Sequence, residues 1–243
     1  MKDPAAHRRF YAEDLAGEAV ELSPAEAHHA ADVLRLAPGA EVELFDGSGK
    51  VAVGTLEKVD RRRAVVRIRQ RRQAARREPI VELAFAVPKG KRVDWLLEKV
   101  TELGAARLTP VIFSRSVAAP KLSAHARGRW RGICIAAAKQ CGAEFLPEIA
   151  APVALDAFLS AVGGKIRLLG DPDSQTALPA ALKNWSAGET ITILIGPEGG
   201  LTAAERSAAV EAGFVPFRLG DFVLRIETAA AVLLATVTAI CQA

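Results

Sequence analysis

From about residue 80 to the end of the chain, short apolar runs alternate with stretches of helical periodicity. That alternation narrows the available folds more than any other feature. Residues 81–87, 108–113, 166–169, 190–195 and 215–219 read as apolar strands, with helices predicted over 93–103, 123–140, 202–212 and 227–239. Gly104 suits the C-terminal cap of the first helix, and Trp130, Ile133, Cys134 and Ala137 form the apolar side of the second. Strands that alternate with helices imply an α/β layer with a mostly parallel sheet. The last helix is apolar on nearly every side, which predicts burial.

Before residue 80 the pattern is different. Ser23-Pro24-Ala25-Glu26 combines a capping box with proline at the first helical position, so a short helix begins there and ends before Pro38-Gly39. Residues 41–45 alternate polar and apolar, Asp46-Gly47-Ser48-Gly49 is a hairpin turn, and 51–59 returns as the partner strand. A third strand is predicted over 64–68. The chain therefore divides into a β-rich unit at 1–72, a polar linker at 73–78 and an α/β domain at 79–243. Nine arginines fall between Asp60 and Glu78. They fit a phosphate-binding surface and equally a solvated edge strand.

Half the residues are apolar, enough for a core, yet no apolar run is long enough to span a membrane. The start, Met1-Lys2-Asp3-Pro4, is polar and does not read as a signal peptide. Cys134, Cys141 and Cys241 form no CxxC, and with four scattered histidines they suggest neither a metal site nor a disulfide framework. A cytoplasmic protein without membrane attachment or metal is the expectation.

Two loops stand out. The run 190–195 must stop at Gly196-Pro197, because proline has no N–H to continue the ladder. Gly199-Gly200 then allows a ligand to approach bare backbone, and Thr202-Ala-Ala-Glu205 caps the next helix. A second run ends at Leu219-Gly220, followed by an irregular piece to Ile226. Open α/β sheets bind ligands at this carboxyl edge, although the first loop also fits a plain tight turn. Arg225 and Glu227, charged beside an apolar helix, fit either a helix-start ion pair or the polar lining of a pocket. Gly47-Ser48-Gly49-Lys50 imitates the tail of a P-loop, but Leu44 occupies the place of its first glycine and Val51 follows the lysine. No GxGxxG follows a strand and no GxSxG occurs, so an ordinary nucleotide-binding enzyme or a hydrolase lacks support.

The order of several short motifs carries more weight than any one of them. They are Arg9-Phe10, His29 with Val33-Leu34-Arg35, Leu44-Phe45-Asp46-Gly47, Pro88-Lys89-Gly90, Glu98-Lys99 and Thr101-Glu102-Leu103-Gly104. Pro110, Arg115-Ser116, Arg129-Trp130, Ala137-Ala138-Lys139-Gln140 and Pro147-Glu148-Ile149 follow. The most specific are Ile195-Gly-Pro-Glu-Gly-Gly200, Leu219-Gly220 with Leu224-Arg225, and Glu227-Thr228-Ala229. In this order, over nearly the whole chain, they resemble the bacterial 16S rRNA (uracil-N3)-methyltransferases, SPOUT-class enzymes with an N-terminal PUA-like domain.

The resemblance implies a parallel-sheet domain with a C-terminal trefoil knot after a small PUA-like β-barrel, a homodimer, and S-adenosyl-L-methionine as methyl donor. The cofactor would lie against Leu169, Gly170, Ile195, Gly196, Pro197, Glu198, Gly199, Gly200, Leu219, Gly220, Leu224, Arg225, Thr228 and Ala229. The substrate would be 16S rRNA or the small ribosomal subunit, contacted by Arg9, Arg35, Arg115, Arg129, Lys139, Gln140 and the arginine tract. N3 of uridine is nucleophilic only after losing its proton. Arg225 is the candidate to stabilise the developing anion, and Glu198 or Glu227 to accept the proton. Either carboxylate could instead serve as a structural acceptor. Relatives commonly carry Pro-Arg where Asp221-Phe222 stand, Thr or Ala at Ile226, and Ser-Gly-Arg where Cys141-Gly142-Ala143 stand. These departures concern RNA contacts more than the glycine loops. Two other readings are a SPOUT enzyme with another RNA target and a non-catalytic RNA-binding assembly factor.

Overall fold

The structure is a computed structural model that describes residues 8–116 and 122–242. The polar start Met1-Lys2-Asp3-Pro4 lies outside the described residues. By its contacts the chain forms two units. The first comprises the described residues up to Arg76 together with Ile135–Leu146; the second holds Arg77–Cys134 and the chain from Pro147 onward.

The first unit is a curled five-stranded sheet built from β1 (Arg9–Tyr11), β2 (Ala19–Glu21), β3 (Glu41–Phe45), β4 (Lys50–Val59) and β5 (Ala64–Gln73), in the order β1-β3-β4-β5-β2. The hairpin turn between β3 and β4 forms as the sequence predicts. Asp46 Oδ1 accepts the N–H groups of Ser48 (2.7 Å) and Lys50 (3.1 Å), and Gly47 and Gly49 supply positive φ angles of 77° and 93°. The helix α1 (Pro24–His28) starts at Ser23, whose Oγ accepts the Glu26 N–H, and continues into a π-helical turn, His29–Val33. Phe10, Leu15, Val20, Leu22, Val42 and Leu56 lead the core. β5 runs further than the predicted 64–68. Its outer end pairs Arg71, Arg72 and Gln73 with β4, so Arg67, Arg69, Arg71 and Arg72 of the arginine tract lie in a strand. The strands β1 and β2 are three residues each, too short to leave a period-two signal.

The second unit is the α/β layer expected from the alternation. Its strands β6 (Ile80–Phe85), β7 (Arg107–Ile112), β8 (Glu148–Ile149), β10 (Ile166–Gly170), β11 (Thr190–Ile195) and β12 (Val215–Phe217) lie parallel in the order β12-β10-β11-β6-β7-β8, and β9 (Val153–Ala154) pairs with β7. The connecting helices are α2 (Arg92–Glu102), α3 (Ala124–Cys141, which from Ile135 onward belongs to the first unit), α4 (Leu155–Ala161), α5 (Leu178–Ala181), α6 (Ala203–Glu211) and α7 (Ile226–Cys241). The short elements β8, β9, α4 and α5 are not visible in the sequence pattern, and β12 ends two residues before the predicted 219.

α7 packs on α2, β6 and β11 through Ile226, Ala230, Leu233, Leu234 and Val237. Its expected burial is only partial, because Val232 is 40 % exposed and Ala235 and Ala239 are also exposed. An apolar helix presents a wider hydrophobic surface than one sheet face covers.

Candidate active site at the carboxyl edge of the sheet

The register of three adjacent strands builds the site. Gly170 of β10 pairs with Ile195 of β11 and with Phe217 of β12, so these strands end level. The turn 171–173 and the loops 196–202 and 218–225 therefore leave the sheet side by side. Between them lies a cavity of about 1000 Å³, at the upper end of the range of ligand pockets.

The first loop is braced. Gly200 N–H donates to Pro197 O (2.8 Å), and Arg115 Nη1 donates to Gly199 O (2.9 Å). Arg92 pairs with Glu198. The predicted capping box is present: Thr202 Oγ1 accepts the Glu205 N–H (3.2 Å), and Glu205 Oε2 accepts the Thr202 N–H (2.7 Å). Glu205 Oε1 also accepts the Ser114 N–H (2.7 Å). Burial alone would raise the Glu205 carboxyl, but the hydrogen bonds from Thr202 and Ser114 outweigh it and hold the group below its ordinary range. Gly200 needs its lack of a side chain, since its φ is +70°.

The second loop is open. Among the described residues, the main-chain N–H groups of 219–225 have no hydrogen-bond partner. Phe222, Val223, Leu224 and Arg225 are exposed and line the cavity. Arg225 is the N-cap of α7 without a side-chain cap bond, and no partner for its guanidinium occurs among the described residues.

Most of the residues anticipated for the cofactor meet at this cavity: Gly170, residues 195–200, Leu219, Gly220, Leu224, Arg225 and Ala229 line it. Leu169 and Thr228 do not, and neither does Glu227, one of the two candidate proton acceptors. Leu169 is wholly buried behind the wall, and Glu227 is buried in the first turn of α7 with Oε2 unpartnered. Sequence reasoning missed Asp171, Arg92 and Arg206. Asp171 is buried at the end of β10 and pairs with Arg206 (2.6 Å), and all three line the cavity. The rule that ligands gather beyond strand ends could have found Asp171, which directly follows β10.

The anticipated RNA contacts are scattered. Arg115 stands at the cavity wall, and Arg129 pairs with Asp94 (2.7 Å) in the second unit. In the first unit Arg35 and Gln140 are exposed, and Arg35 has a positive φ of 50°. Arg9 requires correction as a surface contact. Only 4 % exposed, it donates to Glu43 (2.7 Å) and Ala138 O (2.8 Å) and lies over Phe45. Burial lowers its pKa, and the nearby Glu43 opposes that shift. Lys139 is likewise occupied by Glu26 (2.7 Å). Within the arginine tract, Arg61, Arg63, Arg67, Arg69 and Arg72 pair with carboxylates, and Arg71 donates to Leu15 O (2.6 Å).

Among the described residues no group of three or more His, Cys, Asp or Glu is placed to hold a metal ion, the three cysteines are free, and no helix is long and apolar enough to cross a membrane.

Residues 76–238 match the family model of an RNA methyltransferase domain, and residues 22–69 that of an RNA methyltransferase PUA domain. The chain is 32 % identical over 238 residues to the ribosomal RNA small subunit methyltransferase E of Synechocystis sp., covering 95 % of this chain and 76 % of that protein. It superimposes on a Legionella pneumophila protein described as a methyltransferase and solved with its bound cofactor SAM (TM-score 0.85, 32 % identity, 96 % of this chain and 97 % of the other). The ribosomal RNA small subunit methyltransferase E of Neisseria gonorrhoeae bound to S-adenosyl methionine gives the same TM-score, 0.85, at 28 % identity, covering 96 % of this chain and 97 % of the other.

Proposed function

Since the chain belongs to the RNA methyltransferase family whose relatives are named ribosomal RNA small subunit methyltransferase E, we propose that it transfers a methyl group from S-adenosyl-L-methionine to N3 of a uridine in 16S ribosomal RNA. The observation that supports this most is the cavity where three parallel strands end level, walled by two loops that contain glycine and by Arg225, which has no side-chain partner among the described residues.

The residues present fit the cofactor. Beyond Gly200 and Gly220 an added Cβ would meet nothing within 4 Å, so bare backbone faces open space there. The N–H groups of 219–225, without partners among the described residues, offer donors to adenine and ribose. Leu219 and Leu224 offer apolar contact, and Asp171 and Glu198 offer carboxylates to the cationic donor. When bound, S-adenosyl-L-methionine supplies the electrophilic methyl group.

The remaining work belongs to this chain. N3 lies on the Watson–Crick edge, so the uridine must be unpaired or extruded before it can enter. Arg225, with no carboxylate partner among the described residues, stabilises negative charge on the uracil carbonyls as N3 loses its proton. Glu198 lines the cavity and Glu227 does not, which favours Glu198 as the acceptor of that proton. Positioning of N3 against the methyl group supplies a further part of the rate.

The wider reading follows the family. Residues 1–72 form the PUA-like RNA-binding domain, 73–78 a linker and 79–243 the methyltransferase domain. The chain end, which returns from the edge strand β12 to pack α7 on β6 and β11, closes the trefoil knot. The uncovered side of α7 serves a homodimer, and the protein works in the cytoplasm on the small subunit. Arg35, Arg115, Arg129 and Gln140 remain RNA contacts. Arg9 and Lys139 act from within the fold.

The test is mass spectrometry of small-subunit RNA incubated with the protein and labelled S-adenosyl-L-methionine. The expected product is one uridine methylated at N3. Label at another atom or base would assign a different target, and folded protein that binds no cofactor would mean a non-catalytic RNA-binding factor.

A further inference from the structure

We propose that Phe222 is a stacking platform that holds an unpaired base of the RNA at the mouth of the cavity, beside Arg225. The inference rests on the RNA-methylation reading and specifies how that site grips its substrate.

At 87 % exposure Phe222 is the most exposed large apolar side chain among the described residues, and Val223 beside it is 77 % exposed. Single exposed apolar residues are ordinary on protein surfaces. This one differs in lining the cavity, on a loop whose main chain has no internal hydrogen bonds. An exposed ring in such a place serves either an apolar partner or a flat one.

The surroundings favour the flat one. Arg92, Arg115, Arg206, Arg218 and Arg225 line the same cavity. Arg115 and Arg225 have no carboxylate partner among the described residues, and Arg218 meets Asp221 only at 3.7 Å. An apolar protein surface laid over this mouth would bury guanidinium charge without an acceptor, which is costly. A nucleotide satisfies both features: the ring stacks on the base, and the guanidiniums meet phosphate and carbonyl oxygens. Extrusion also deprives a base of its stacking neighbours, and an aromatic side chain restores part of that contact. The ring therefore acts in substrate positioning and leaves the chemistry to other groups.

The experiment uses the full chain, S-adenosyl-L-methionine and small-subunit RNA. Phe222→Leu and Phe222→Ala should raise the KM for RNA about 10-fold. The kcat, the cofactor Kd and the sedimenting mass should stay near wild type. Phe222→Tyr should restore the KM, because a phenol stacks as a phenyl does. The indole introduced by Phe222→Trp should lose fluorescence when a uridine-containing single-stranded oligonucleotide is added, beyond any change that Trp95, Trp130 and Trp185 show in the wild type. A wild-type KM in Phe222→Leu, with the wild type active, overturns this inference alone. A lower sedimenting mass in Phe222→Leu and Phe222→Ala assigns the ring to a subunit contact and also overturns it. A wild type that neither binds cofactor nor methylates RNA overturns the functional reading, and this inference with it.

Discussion

The two loops that wall the cavity leave neighbouring strands at the same level, yet one is tied down and the other is not. The loop after β11 is held by Arg115 on Gly199, by Arg92 on Glu198 and by Glu205, which joins Thr202 to Ser114. Among the described residues, the loop after β12 has no main-chain N–H engaged between 219 and 225. A braced loop offers its ligand a finished surface. An unbraced one keeps its donors free but must lose conformational freedom on binding. The difference suggests a division of labour, in which the first loop presents the cofactor seat and the second closes on cofactor and RNA together.

The largest test of that division is Arg225→Ala. Removing this guanidinium, which has no partner among the described residues, should lower kcat by about 100-fold or more. The melting temperature should barely move, since Arg225 makes no side-chain cap bond to α7. Near-normal turnover in single-turnover assays would take the chemistry away from this loop. Next comes a pair of glycines. Gly200→Val forces a branched side chain to a φ of +70°, at a cost of roughly 1–2 kcal/mol, so cofactor affinity by calorimetry should fall about tenfold. Gly220→Ala meets neither a positive φ nor a neighbour within 4 Å and should change affinity far less. Equal losses would erase the distinction between the loops.

Hydrogen exchange sharpens it further. Amides of 219–225 should exchange freely without ligand and become protected when S-adenosyl-L-methionine is added, whereas Gly200 should change little. Protection confined to the first loop would reverse the proposed roles. The smallest effect is expected from Glu205→Gln, which weakens the brace itself by about 1 kcal/mol in denaturant unfolding. The sign of its pH dependence is set by the lowered folded-state pKa. The wild-type carboxylate contributes fully above its unfolded value of 4.5 and loses the contribution as pH falls through the lower folded value. The variant's stability should accordingly decline less between those two values, and an identical acid profile would show that Glu205 braces nothing.

Much of this site could be read from the residues alone, for definite reasons. Gly196-Pro197 must end a strand, Thr202-Ala-Ala-Glu205 must open a helix, and a loop between such signals has few places to go. The strands β10, β11 and β6 are long enough, and apolar enough, to show as runs. What stayed hidden depends on register and pairing. Nothing in the sequence says that Gly170, Ile195 and Phe217 end level, or that Arg206 pairs with Asp171. Arg9 shows the opposite error. Its charge suggests a surface contact, but Glu43, Phe45 and the Ala138 carbonyl lie many residues away in sequence and take the side chain inside. Glu227 lies two residues from Arg225 in the sequence, yet it is buried in the first turn of α7 while Arg225 lines the cavity.

The membership of Ile135–Leu146 in the first unit has a consequence for how the chain is made. The carbonyl of Ala138 accepts from Arg9, that of Glu144 accepts from the Gly49 N–H, and the Leu146 N–H donates to Gly47. During synthesis, the N-terminal sheet thus waits for acceptors and donors that emerge only after much of the next unit has been translated. Until Ala138 has cleared the exit tunnel, Arg9 lacks the carbonyl that helps to compensate its burial. A gene fragment ended at Arg76 would carry that deficit permanently. The two units are therefore compact in space but not modular in the genome, and exchanging the first for a foreign counterpart would require splicing at two places.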